Sequence, residues 1–200
     1  MLRNTAFILA LLAVLSCSKE RIDPFCNPGN YFPLEIGNSW VYDCYKKFDE
    51  GAMEFRERDS LALMADTLML GYHYYRVQGT FYARPLNVWL TAIDGQIISS
   101  DNNLYFSCPH LTTNDALYPV GHFDFPCKIE SSRKDTIIQV PAGSFNPVIH
   151  FEAHSMLDDA NCLVKYSFHY AKGVGLIQWS ARPVGQEFEI VSELVSFHTK

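Results

Sequence analysis

The sequence predicts a mainly β protein: a single antiparallel sheet, strongly curved or a half-open barrel, with at most one or two short helices. Three observations predict it. Apolar and polar residues alternate with period two through much of the chain, the pattern of strands with one buried face. Turn residues punctuate that alternation at short intervals. The windows with any helical character, Ser60–Leu70 and Ser155–Ala160, lack caps and a sustained 3.6-residue period.

The chain opens with "MLRNTAFILALLAVLSCSKE", in which Arg3 precedes an unbroken apolar run from Ala6 to Leu15. Ten residues fall short of the roughly 20 that cross a bilayer and suit the apolar core of a secretory signal. Residues 1–16 are therefore expected to be a signal, 17–33 a tether beginning at the anchor residue, and 34–200 one β domain. Within the tether and its lead-in, "PFCNPGNYFPLEIGN" reads as loop, because prolines, glycines and asparagines dominate it.

The strands then follow in order. Trp40, Tyr42 and Cys44 alternate with Val41, Asp43 and Tyr45, and residues 53–63 keep the rhythm. "DTLMLGYHYYRVQGTFYA" continues it, interrupted at Gly71 and Gly79. In "VWLTAIDGQIIS" two β-prone runs flank Asp94-Gly95, a dipeptide suited to the left-handed positions of a two-residue hairpin turn. Residues 101–133, broken by Pro109, Pro119 and Pro126, read as a long connection with short extended pieces. Five more runs follow: "DTIIQV", "PVIHFEAH", "LVKYSFHYA", "GLIQWSA" and "EFEIVSELVSF". Gly173-Val174-Gly175 lies between two of them. A phosphate-binding glycine loop would lead into a helix, whereas this one leads into "LIQW", so it reads as a hairpin connection.

Sixteen basic and 22 acidic residues give a net charge of −6, which becomes −7 when Arg3 leaves with the signal. No basic run exists, so nucleic acid is not an expected partner. Of the six cysteines, five remain for an oxidising compartment once Cys17 is set aside. Cys108 with Cys127 is the first expected pair and Cys26 with Cys44 the second, leaving Cys162 single.

Two resemblances add to this. Val14-Leu15-Ser16-Cys17 resembles the lipobox of bacterial lipoproteins, with Val and Leu standing where Leu and a small residue are commoner. It implies a diacylglycerol on Cys17 and a protein held on the cell envelope, on the outer membrane, with the leaflet undecided. "YFPLEIGNSWVY", "DTLMLGYHYYRV", "VPAGSF" and "YAKGVGLIQ" together resemble an uncharacterised family of bacterial secreted lipoproteins, distantly similar in architecture to LolA-type lipoprotein carriers. That resemblance implies a curved sheet able to hold acyl chains, and no catalytic residues.

The residues themselves leave three functions open. A non-catalytic, lipid-anchored protein would bind a lipid or other apolar ligand on its concave face, with Trp40, Tyr42, Tyr74 and Trp89 as its candidate contacts. A surface module for a glycan or protein partner would use the same aromatic wealth on an exposed face. A metal-dependent enzyme would rest on His150, Glu152 and His154, which strand alternation sends to one face. No cofactor is expected, and non-enzymatic binding is the favoured reading.

Overall fold

The computed structural model describes residues 26–108, 117–119, 126–134, 136–146, 148–156 and 162–200. The signal and Cys17 lie outside them, as does most of the second helical window. One helical turn, α1 (Pro28–Tyr31), precedes the strands. The first arm holds β1 (Ser39–Phe48), β2 (Met53–Met69), β3 (Tyr72–Phe81), β4 (Arg84–Ile93), β5 (Gln96–Ser99) and β6 (Leu104–Ser107). The second holds β7 (Leu117–Pro119), β8 (Pro126–Lys134), β11 (Val148–Met156), β12 (Cys162–Ala171), β13 (Gly175–Pro183) and β14 (Phe188–His198). Between β8 and β11 a small ribbon forms from β9 (Ile138–Val140) and β10 (Gly143–Phe145).

Twelve strands make one antiparallel sheet in the order β6-β5-β4-β3-β2-β1-β14-β13-β12-β11-β8-β7. The mainly β, single-sheet expectation holds, and β2 occupies the first of the two helical windows. Most neighbours are successive hairpins. The exception in the middle is β1 with β14, where the two ends of the domain pair along the whole of β1, from Ser39 opposite His198 to Phe48 opposite Phe188. The stretch 101–133, expected as a long connection with short extended pieces, contributes β6, β7 and most of β8. Pro126 sits at the first position of β8, where a missing amide is tolerated.

Alternation decides the faces. Trp40, Tyr42 and Cys44 are buried on β1, while their neighbours are only half-buried. Register shifts at Val41/Tyr42, Cys44/Tyr45, Leu63/Ala65 and His169/Tyr170 bend the sheet. It curls until strands distant in its order meet through their inner faces. Tyr170 on β12 donates its hydroxyl to the Tyr105 carbonyl on β6 at 2.8 Å. Its ring meets Phe106 edge-on with centroids 5.0 Å apart, and Phe81 of β3 lies 5.1 Å from Trp179 of β13.

The lead-in fills one end of this curl. Asn27 caps α1 by accepting from the Gly29 amide at 3.0 Å, with Pro28 at the first helical position, where it is tolerated. Tyr31 then stacks on Phe106, and Phe32 packs between Trp40 and Tyr170. From Cys26 onward the lead-in is thus part of the core.

The disulfide joins Cys26 to Cys108, correcting both expected pairs. Cys44 lies mid-strand on the inner face of β1, well past the turn that carries Cys26. Cys127 is on β8, in the other arm. Cys108 follows β6, whose end the curl brings against α1.

Closing 82 residues of sequence separation stabilises by about 4–5 kcal/mol on the chain-entropy estimate. A Cys26→Ala, Cys108→Ala variant is expected to lose most of that, read from denaturant midpoints under oxidising conditions. Unchanged midpoints would mean that the aromatic plug alone holds the lead-in.

Candidate functional site

The inner face has a filled end and an open end. β1 runs from one to the other, from Trp40 beside α1 to Lys46 and Phe48. At the open end is a cavity of about 460 Å3, within the size range of small-molecule sites. Its walls are apolar and aromatic, with Phe81, Tyr82, Tyr166, Trp179, Phe188 and Ile190 prominent among them. Among the described lining residues three are cationic, Lys46, Arg56 and Arg84, and none is acidic.

Each cation is placed by local structure. Lys46 continues the inward alternation of β1, and its ammonium lies over the rings of Phe48 and Phe188, 4.6 and 4.2 Å from their centroids. Arg56 is the extra residue of a bulge, between Phe55 opposite Tyr45 and Glu57 opposite Cys44. Bulges re-aim side chains in this way. Its partner Glu54 is 3.7 Å away with both side chains exposed, an ion pair of little strength. Arg84 opens β4, directly after the β3–β4 turn.

That turn is strained. Phe81 pairs with Arg84, so Tyr82 and Ala83 form a two-residue loop with φ of 55° and 54°. Positive φ at both central positions suits Asn-Gly or Asp-Gly; on other residues it costs about 1–2 kcal/mol each. Asp59 holds the loop by accepting from the Tyr82 amide at 2.7 Å. The Tyr82 ring then stands edge-on to Trp179, with centroids 5.5 Å apart.

Buried polar atoms collect beside the cavity. The indole N–H of Trp179, the Ser192 hydroxyl and Oδ1 of Asp59 are buried with no protein partner, which is uncommon in native cores. Trp179 pairs with Ser192, and Ser192 with Cys44, in one row across the sheet. Burial, reinforced by Glu57 and Asp59, pushes the Cys44 thiol up to about 12. Burial and Asp59 likewise hold the Glu57 carboxyl above its ordinary range. A nucleophilic cysteine needs the opposite shift.

The candidate contacts Trp40, Tyr42, Tyr74 and Trp89 do not line this cavity. Trp40 and Tyr42 are core residues whose polar tips donate to the carbonyls of Val174 and Leu176, at 2.5 and 2.9 Å. Tyr74 and Trp89 alternate with Tyr75 and Leu90, which meet in the core, and so take the other face of the sheet. His150, Glu152 and His154 do share a face. Oε1 of Glu152 lies 3.2 Å from His150 and Oε2 lies 3.8 Å from His154. Nε2 of His150 is hydrogen-bonded with Ser167 at 2.8 Å, and both cross-strand partners of His154 are lysines, Lys128 and Lys165. Among the described residues no three His, Cys, Asp or Glu side chains form a metal site, so the metal reading gains no support.

No protein-family model matches the chain, and no curated protein matches it in sequence. A solved structure from Bacteroides fragilis, of a protein with a YmcC-like fold and assigned as exported, is similar over 84% of this chain and 99% of its own, at 14% identity and a TM-score of 0.52. The chain has this fold. A protein from Parabacteroides distasonis assigned to the lipoproteins is similar over 84% of this chain and 98% of its own, at 13% identity and a TM-score of 0.47. The YmcC-like sheet thus supplies a frame whose inner face holds a cavity where Lys46, Arg56 and Arg84 gather.

Two outcomes check this description. Cys44 is expected to stay unalkylated in the native protein at pH 8, well below its pKa of about 12, while denaturation exposes it; mass spectrometry of the labelled peptides decides. Replacing Tyr82-Ala83 by Asn-Gly is expected to raise the unfolding free energy by about 1–2 kcal/mol. A fall would show that the Tyr82–Trp179 contact outweighs the backbone strain.

Proposed function

We propose that this protein is a lipid-anchored component of the bacterial cell envelope whose open end binds one acyl chain with an anionic head group, without transforming it. The cavity carries the reading: an apolar chamber bordered by three cations, on a chain whose net charge is −6. Local positive charge on a negative molecule favours an anionic head group. The Trp179 N–H offers a donor inside the wall. Support for anchoring comes from the apolar run ending at Val14-Leu15-Ser16-Cys17, and the outer membrane is the proposed location.

Volume selects among lipids. A methylene takes up about as much room as a water molecule, whose share of liquid is roughly 30 Å3. About 460 Å3 therefore suits one chain of roughly 15 carbons rather than the several chains of a lipoprotein. The distant resemblance to LolA-type carriers read from the sequence suggests an acyl ligand, and the size of the chamber favours a single-chain amphiphile.

Burial contributes about 0.8 kcal/mol per methylene, so each two-carbon extension of a straight-chain carboxylate is expected to tighten binding by roughly tenfold. The gain should level off once the chamber is full. Displacement of a fluorescent fatty acid measures the series. Arg84→Glu should weaken the carboxylate and spare the alcohol of equal length. Acid and alcohol binding equally well to the native protein would sink the anionic head group, and no binding at any length would sink the acyl ligand.

A further inference from the structure

The β2–β3 hairpin stands apart from the chemistry of the cavity. Ala62 pairs with Ser39, the first residue of β1, and beyond it β2 continues to Met69 with β3 as its ladder partner. The tip therefore projects past its neighbour on the other side. Its side chains are apolar and face solvent: Leu68 is 64% exposed, Leu70 94% and Tyr72 46%. Single exposed leucines are ordinary, but three exposed apolar side chains within five residues, set around a projecting tip, point to an interaction surface.

The turn itself sharpens the point. Met69 pairs with Tyr72, leaving Leu70-Gly71 as a two-residue loop with φ of 52° and 84°. The first position of such a loop favours Asn or Asp, which are also soluble there. Leu70 is disfavoured both by its backbone conformation and by its exposure. Neither folding nor solubility accounts for it.

Position identifies the partner. The Leu70-Gly71 turn and the Asp94-Gly95 turn lie at the same end of the sheet, because β3 and β4 are antiparallel with Tyr75 opposite Leu90. The Gly95 carbonyl accepts from the Cys108 amide at 2.9 Å, and Cys108 is bonded to Cys26. Cys17 is only nine residues upstream of Cys26, a span of at most about 30 Å. An acylated Cys17 thus holds this end of the domain, not the cavity end, toward its membrane. Asp66 and His73, 4.0 Å apart, are the ionisable residues of the hairpin's outer part, and neither gives the tip a basic character. We infer that residues 68–72 dock into the membrane that carries the anchor, as an apolar wedge entering the headgroup boundary by about 5–10 Å.

This inference rests on the anchoring part of the proposed function, and on nothing in the cavity. The test uses the full-length gene expressed in a bacterial envelope, with the mature acylated protein reconstituted into phosphatidylcholine vesicles bearing brominated chains. Leu70→Trp is compared with Val184→Trp, which replaces an exposed residue of the β13–β14 turn at the opposite end. Several-fold stronger bromine quenching at position 70, unaffected by high salt, is expected. Equal quenching at both positions overturns the inference. So does a blue-shifted Leu70→Trp emission that grows with protein concentration in detergent, which would assign the tip to a second copy of the chain. Leu70→Asn suits the turn and should fold. It is expected to remove the vesicle-dependent protection of the tip amides from hydrogen exchange; retained protection counts against the wedge. Intact mass reports the acyl groups separately, so a missing anchor is distinguishable from a tip that fails to dock.

Discussion

The curl of the sheet depends on what happens where a ladder stops. β13 pairs with β14 only from Gln178 to Ala181, opposite Ile190 to Glu193. Toward its N-terminal end β13 loses β14 as a partner, and unpaired buried carbonyls are costly. Trp40 and Tyr42 reach from β1 to donate to Val174 and Leu176 there. Two side chains thus do what a continued ladder would have done, but across a larger gap, which lets the two arms splay and the inner face close on itself. Gly175 is part of the same device. Its φ is 105°, and a Cβ would lie 3.3 Å from the Trp40 indole nitrogen, so glycine gives that ring its approach.

Closing one end leaves the other underfilled. The lead-in spends Tyr31 and Phe32 on the end where Trp40, Phe106 and Tyr170 already meet. Among the described residues nothing comparable enters between β1, β3 and β13 at the far end, where Lys46, Arg56 and Arg84 join the aromatic residues that line the cavity. Interiors are close-packed wherever the chain can arrange it. A chamber bordered by Lys46, Arg56 and Arg84, with a buried indole N–H in its wall, is the feature on which the proposed ligand rests. The acyl reading follows from that asymmetry, since the open end combines apolar depth with a charged mouth.

Much of the architecture was legible in the sequence because period two and turn chemistry are local. Asp94-Gly95 forms the two-residue turn its composition indicates, with φ of 47° and 79°, and Gly173-Val174-Gly175 joins two strands. The misses were non-local. Alternation put Trp40 and Tyr42 on the inner face, but it carries no information on which inner residues meet empty space and which meet the lead-in. The same limit hid the cysteine pairing, since only the curl brings the end of β6 to residue 26. Arg56 escaped for a different reason: a bulge turns it, and a bulge leaves no mark in the hydrophobic pattern.

Three two-residue hairpin turns with positive φ at both positions make an internal control. In one, Asp94-Gly95, local preference and structure agree, and no candidate site involves it. In the other two, Tyr82-Ala83 and Leu70-Gly71, residues stand where Asn or Asp would fold more easily. A natural sequence is locally consistent except where another demand prevails. At Tyr82 that demand is visible as a ring set against Trp179 over the chamber. At Leu70 none of the described residues covers the side chain, which is 94% exposed, and the proposed membrane contact would supply that demand. The same backbone strain therefore marks both ends of the domain, one at the proposed ligand chamber and the other at the proposed membrane wedge.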